Sequence, residues 1–201
     1  MGLPKVFCVG ILKSFGWKID YSHLPISRCV IIAAPHTSNW DFLLMLLFAG
    51  AFGIKINWMG KSSLFRKPHG FIFRLLGGIA VERSQKNNLV ASMINLFNEE
   101  SQMRLVLAVE GTRAHSQFWK SGFYHIAKGA NVPILPTFLD YSKKRGGFGM
   151  ALHVTGDVKS DMDTLRELYA TVQGKFPKQA STIRLKEETQ NNQCLVYGNP
   201  N

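Results

Sequence analysis

The sequence predicts a single α/β domain over residues 1–201, a mostly parallel or mixed β-sheet flanked by helices. Three observations predict it. Short apolar, β-branched runs recur along the chain, each bounded by turn residues. Segments with apolar residues at helical spacing separate them. Neither an internal repeat nor a linker divides the chain, and its length suits one hydrophobic core.

The elements follow in order. At the start, Val6, Phe7, Val9, Ile11, Leu12 and Phe15 are apolar, Lys5, Lys13 and Lys18 are interspersed, and Trp17 lies near the end. In a signal peptide the charges would precede the apolar stretch and a small-residue cleavage site would follow it; neither is seen. Residues 1–20 read either as a basic amphipathic helix lying on a bilayer or as a first helix packed on the core. Residues 28–34 form a buried strand ending at Pro35, and 41–53 are apolar on nearly every side, as in a buried helix. A strand over 54–59 comes next, then a helix over 64–76 with Pro68 near its start. Gly77-Gly78 breaks that helix before a brief strand at 79–82.

Further on, Leu89, Met93, Leu96 and Phe97 mark a helix over 87–100, and 104–109 a buried strand. A helix over 123–130, a strand over 133–139 and an edge strand over 150–158 come next. The last helix is expected at 161–173, capped by Asp161, with Leu165, Leu168 and Val172 on one face. The polar stretch 175–201 is expected to be a partly loose tail.

Composition narrows the function. Hydrophobic residues make up 46%, which excludes intrinsic disorder. Charged residues are only 18%, below the roughly 25% of typical soluble domains, so part of the apolar surplus is expected to face something other than a core. The net charge of +11 is uneven, with +8 of it in residues 1–86. A basic, apolar-rich half suits an anionic phospholipid surface better than nucleic acid; a solvated basic face is the alternative. No nucleic-acid-binding motif is present. The longest uncharged apolar run, residues 42–54, is too short to span a bilayer. Cys8, Cys29 and Cys194 have no metal-site or disulfide spacing, so a reducing compartment is expected and no metal is indicated.

Four constellations carry possible chemistry. Pro35-His36-Thr37-Ser38-Asn39-Trp40-Asp41 follows a buried strand, where ligand sites of open α/β sheets gather. A carboxylate five residues after a histidine can hold one ring nitrogen and leave the other as a proton acceptor. Alternatively, Asp41 caps a helix and His36 is a loop residue. Glu110-Gly111-Thr112-Arg113 follows a second buried strand; Gly111 permits close backbone approach, and the Arg113 guanidinium suits a phosphate. Its alternative is a charged turn with an internal Glu–Arg pair. Residues 77–83 place Arg83 after a short strand, and residues 132–136 form an apolar stretch bracketed by Pro133 and Pro136.

In this order and spacing, His36–Asp41, Gly78–Arg83, Glu110–Arg113 and Val132–Pro136 resemble the four successive blocks of the glycerolipid acyltransferases, the enzymes related to 1-acyl-glycerol-3-phosphate acyltransferase. Gly60-Lys61 and Trp119-Lys120-Ser121-Gly122 extend the likeness, which covers roughly residues 30–140. The resemblance implies a glycerol-3-phosphate acyltransferase-like fold and transfer of a fatty acyl group from an acyl thioester to the hydroxyl of a lysophospholipid. The thioester would be acyl-CoA or acyl carrier protein, acting as co-substrate, with no cofactor or metal.

It further implies that His36 is the general base and Asp41 its orienting carboxylate. Arg83, Glu110, Gly111, Thr112 and Arg113 match the acceptor-binding blocks. Three departures stand out: Ala108-Val109 where Phe-Pro is usual before the third block, Ala114 where Ser is usual after it, and Glu82 where Asp is common in the second. Backbone N–H groups at the start of the Asp41 helix are candidate donors to the developing oxyanion. Such an enzyme is expected in the cytoplasm, peripherally associated with the inner face of the membrane. Alternative readings keep the chemistry but change the acceptor to a lyso-aminolipid or small alcohol, or leave a catalytically idle lipid-surface binding protein.

Overall fold

Side chains alternate between the two faces of a strand, so a strand buried on both faces must be apolar throughout. β2 (Arg28–Ala33) shows this from Cys29 onward. Val30 and Ile32 join Leu105, Leu107 and Ile134 in one core, while Cys29 and Ile31 join Val106 and Leu135 in the other. In the computed structural model, which describes residues 4–81 and 86–189, β2 lies at the centre of one mixed sheet.

The other strands are β1 (Lys18–Asp20), β3 (Asn57–Lys61), β4 (Gly78–Val81), β5 (Met103–Ala108), β6 (Ile134–Asp140) and β7 (Arg145–Phe148). Among the described residues their order is β1-β7-β6-β2-β5-β3-β4. Neighbours are parallel except β6 and β7, so β1 and β7 run against the other five.

The helices are α1 (Lys5–Ser14), α2 (Trp40–Phe52), α3 (Gly70–Leu75), α4 (Lys86–Glu99), α5 (Gly122–Gly129) and α6 (Val158–Tyr169). Helices α4, α5 and α6 cover the first core with Phe97, Phe123, Ile126, Met162 and Leu165. Helix α2 covers the second. Ala49 meets the sheet side, while Leu44, Leu47, Phe48 and Ala51 form a third cluster with Cys8 and Leu12 of α1 and with Trp17. Helix α2 is apolar nearly all round because it lies between the sheet and another helix.

Several expected elements differ. The helix over 64–76 is broken: a 3₁₀ turn at Ser62–Phe65 precedes α3, because Pro68 has no N–H and disfavours helical backbone in the residue before it. The strand expected at 54–59 begins only at Asn57. Gly53 ends α2 in the left-handed conformation, with N–H bonds from Gly53 and Ile54 back to Gly50 and Ala49. No strand fills 150–158, where only Leu152 bridges Ile134. The strand lies instead at β7, whose Gly146 and Gly147 let Phe48 and Asp20 approach the backbone closely.

Asp157, not Asp161, caps α6, accepting from the N–H groups of Lys159 and Ser160. Asp161 is buried and accepts hydrogen bonds from Tyr124 and Thr155. The first part of the expected partly loose tail, residues 175–189, includes a 3₁₀ turn at Pro177–Gln179 and buries Leu185. Residues 190–201 lie outside the described residues, as does Cys194.

Candidate active site

Parallel pairing sets the carboxyl ends of β2 and β5 side by side, with Ala33 opposite Ala108. The connection leaving β2 runs through α2 over one face to β3, and that leaving β5 runs through α5 over the other face to β6. A crevice therefore opens between β2 and β5, as expected where crossovers diverge. Residues 34–39 and 109–113 meet there.

The His36 ring is held by Asp41, the second residue of α2, with Nδ1 at 3.0 Å from Oδ2. The same oxygen accepts the N–H groups of Thr37 (3.0 Å) and Ser38 (2.9 Å), while Oδ1 accepts the hydroxyl of Tyr141 at 2.6 Å. Asp41 thus does both things its position allowed: it braces the turn entering the helix and it orients the imidazole. Burial alone pushes its carboxyl up, but the hydrogen bonds from His36, Tyr141 and Ser38 outweigh burial and hold it below the usual carboxylate range. With Nδ1–H donating to Asp41, Nε2 is left as the ring's acceptor.

Some of the backbone N–H groups around the start of α2, where oxyanion donors are expected, are engaged within the turn itself. Thr37 and Ser38 donate to Asp41, and Trp40 donates to the hydroxyl of Ser38.

Glu110 stands behind this turn rather than in the crevice. It is 1% exposed, and its two oxygens accept the backbone N–H groups of His36 (2.6 Å) and Ser181 (3.1 Å). The segment after α6 straps over the same turn. Phe176 N–H donates to Thr37 Oγ1, and Gln179, with its amide nitrogen facing inward, donates to the carbonyls of Arg113 and Thr37.

From His36 an apolar cavity of about 520 Å³ runs beneath α2. Phe42, Met45, Phe48 and Ala49 line it on the helix side, and Ile31, Val106 and Trp58 on the sheet side. It lies within the second core, which is consequently not filled by its own side chains. Its volume is within the roughly 300–1,000 Å³ of ligand pockets.

The remaining sequence-derived candidates separate. Arg113 is exposed and lines the cavity together with Lys61. Gly111 has φ +68° and sits against the Lys120 side chain, so backbone freedom is needed there. Thr112 is exposed and accepts the N–H of Ala114. Arg83 lies outside the described residues. Burial pushes the Cys29 thiol up to about 12, which removes it as a nucleophile. Among the described residues no group of three or more His, Cys, Asp or Glu side chains is placed to hold a metal.

Sequence reasoning missed Tyr141 and the strap. Tyr141 follows β6, the other parallel neighbour of β2, so the only signal was its place at the carboxyl end of a third strand. A pairing across 100 residues has no local signature.

The site thus defines a class of α/β protein with a histidine–carboxylate pair at its strand ends, opening into an apolar cavity. The Acyltransferase family model matches residues 19–140, and the chain belongs to that family. It is 26% identical over 133 residues to a 1-acyl-sn-glycerol-3-phosphate acyltransferase of Haemophilus influenzae, covering 61% of this chain and 53% of that one. The chain thus spans about half the length of that relative. Its fold is similar to the crystal structure of the 1-acyl-sn-glycerophosphate (LPA) acyltransferase PlsC from Thermotoga maritima. The TM-score is 0.55 at 17% identity, covering 82% of this chain and 74% of the other.

Proposed function

We propose that this protein is an O-acyltransferase that moves a fatty acyl group from acyl-CoA or acyl carrier protein to the hydroxyl of a lysophospholipid such as 1-acyl-glycerol-3-phosphate. The observation that carries the reading is the His36–Asp41 pair at an apolar cavity of about 520 Å³. In this mechanism Nε2 of His36 takes the acceptor's hydroxyl proton as the oxygen attacks the thioester carbonyl. The C–O bond forms, the C–S bond breaks, and the thiolate leaves with the electron pair. Asp41 stabilises the imidazolium formed, which then gives its proton to the thiolate or to water. The step as proposed calls for neither a cofactor nor an acyl-enzyme.

The cavity suits the acyl chain, since each methylene kept from water is worth about 0.8 kcal/mol. Arg113 and Lys61 supply positive charge for the acceptor's phosphate. Arg83 remains a candidate for the same group, and Gly111 and Thr112 for the loop that approaches it. Glu110 serves by holding the His36 turn.

The substrates imply work at a membrane from the cytoplasmic side. Among the described residues no helix is long and apolar enough to cross one. Exposed Val6, Phe7 and Phe15 around α1, and Phe71, Ile72 and Leu75 on α3 near Arg66, Lys67 and Arg74, suit peripheral contact with anionic lipid.

The test is incubation with labelled acyl thioesters and a panel of lysolipids and small alcohols, with products identified by mass. Product should form, and His36→Ala should lower the rate at least about a hundredfold while the fold persists. Full activity in that variant would exclude the proposed base.

A further inference from the structure

We propose that Tyr141 is a positioning residue of the acyl-transfer centre, fixing the Asp41 carboxylate so that one oxygen faces the His36 ring. The inference rests on the acyltransferase reading and adds a third member to its dyad. The two carboxylate oxygens divide their work. Oδ2 takes the His36 ring and two backbone N–H groups, and Oδ1 takes the Tyr141 hydroxyl at 2.6 Å. Asp41 is only 6% exposed, so removing that hydroxyl removes the donor Oδ1 has here.

Tyr141 is itself well held. Its N–H donates to the carbonyl of Gln173 at 2.9 Å, its ring meets Trp17 edge to face at 5.1 Å, and it packs on the α1–α2 cluster. Burial first, and then the neighbouring Asp41, push the phenol's pKa up, so it remains a proton donor at working pH. Tyr141 also falls one residue beyond the span matched by the family model. Other ionisable groups around the pair are Glu110, which faces the His36 backbone, and Lys61 and Arg113 along the cavity.

Tyr141→Phe keeps the ring and deletes the donor. Thr37 and Ser38 still hold Oδ2, so the carboxylate stays in place but loses the bond that spreads its charge. It then holds the imidazolium proton more tightly. The acid limb of the kcat/KM profile should move to higher pH, and kcat at neutral pH should fall roughly tenfold with KM for the thioester little changed. In an Asp41→Ala background, Tyr141→Phe should cost nothing further.

An unmoved limb with unchanged kcat, or an equal loss in both backgrounds, would overturn the assignment. If Tyr141→Phe does not fold, Trp17→Leu, which removes the brace and leaves the phenol, must shift the same limb in the same direction; no shift there also overturns it. Full activity in His36→Ala would instead refute the acyltransferase mechanism itself, so the two failures are separable.

Discussion

Replacing Glu110 separates a residue that builds the site from one that touches substrate. In Glu110→Ala, the N–H groups of His36 and Ser181 lose their shared acceptor, the carboxylate of a residue that is 1% exposed. Hydrogen bonds to charged groups contribute about 1.5–3 kcal/mol each, so two amount to about 3–6 kcal/mol. The desolvation the carboxylate no longer suffers offsets part of this, which favours the lower end. For a chain of this size, about 3 kcal/mol lowers Tm by on the order of 10 °C. Glu110→Gln leaves one carbonyl acceptor and turns an NH₂ toward the other donor, and should recover less than half of the loss. The assay is thermal unfolding without any acyl substrate. A wild-type Tm in Glu110→Ala, together with a raised KM for the acceptor, would refute the bracing role and return Glu110 to the binding surface.

The carboxyl of Asp41 is held below its ordinary value, so its stabilising contribution is fully present above about pH 4 and is lost as pH falls through the folded-state pKa. Asp41→Asn should therefore melt lower than wild type at about pH 6–7 and converge with it as pH falls below about 4 and through the folded-state pKa; a gap independent of pH contradicts this. Ala49 lines the cavity on α2, and Ala49→Phe should shift the preferred thioester toward shorter chains in a competition assay scored by product mass. An unchanged chain-length profile would mean that the acyl group lies elsewhere. Val6 is 85% exposed and Phe7 57%, so replacing both with Glu should weaken sedimentation with anionic liposomes without altering Tm. Equal sedimentation would remove α1 from the membrane contact.

The central strands were legible because burial on both faces demands unbroken apolar runs, and β2 and β5 have them. Helix α2 was legible for the same reason. The elements that escaped are short or carry little hydrophobic signal: β1 has three residues, and β7 reads Arg-Gly-Gly-Phe. What makes β7 a strand is the room its glycines leave for Phe48 and Asp20, a property of its neighbours. Asp161 illustrates the opposite error. Its type and place suit a cap, yet the helix starts earlier and Asp161 turns inward to Tyr124 and Thr155.

By itself the sequence determined the central sheet, the His36–Asp41 pairing and the family likeness, because each depends on residues close in the chain or on the order of blocks. A five-residue spacing can place a carboxylate beside an imidazole whatever the rest of the chain does. Tertiary structure alone decided how that pair is held and what it faces. The phenol of Tyr141, the turn of Glu110 away from the crevice and the strap through Phe176 and Gln179 all depend on which parallel strands adjoin β2. So does the hollow beneath α2, which forms where side chains of distant elements fail to meet. No local pattern encodes an empty space.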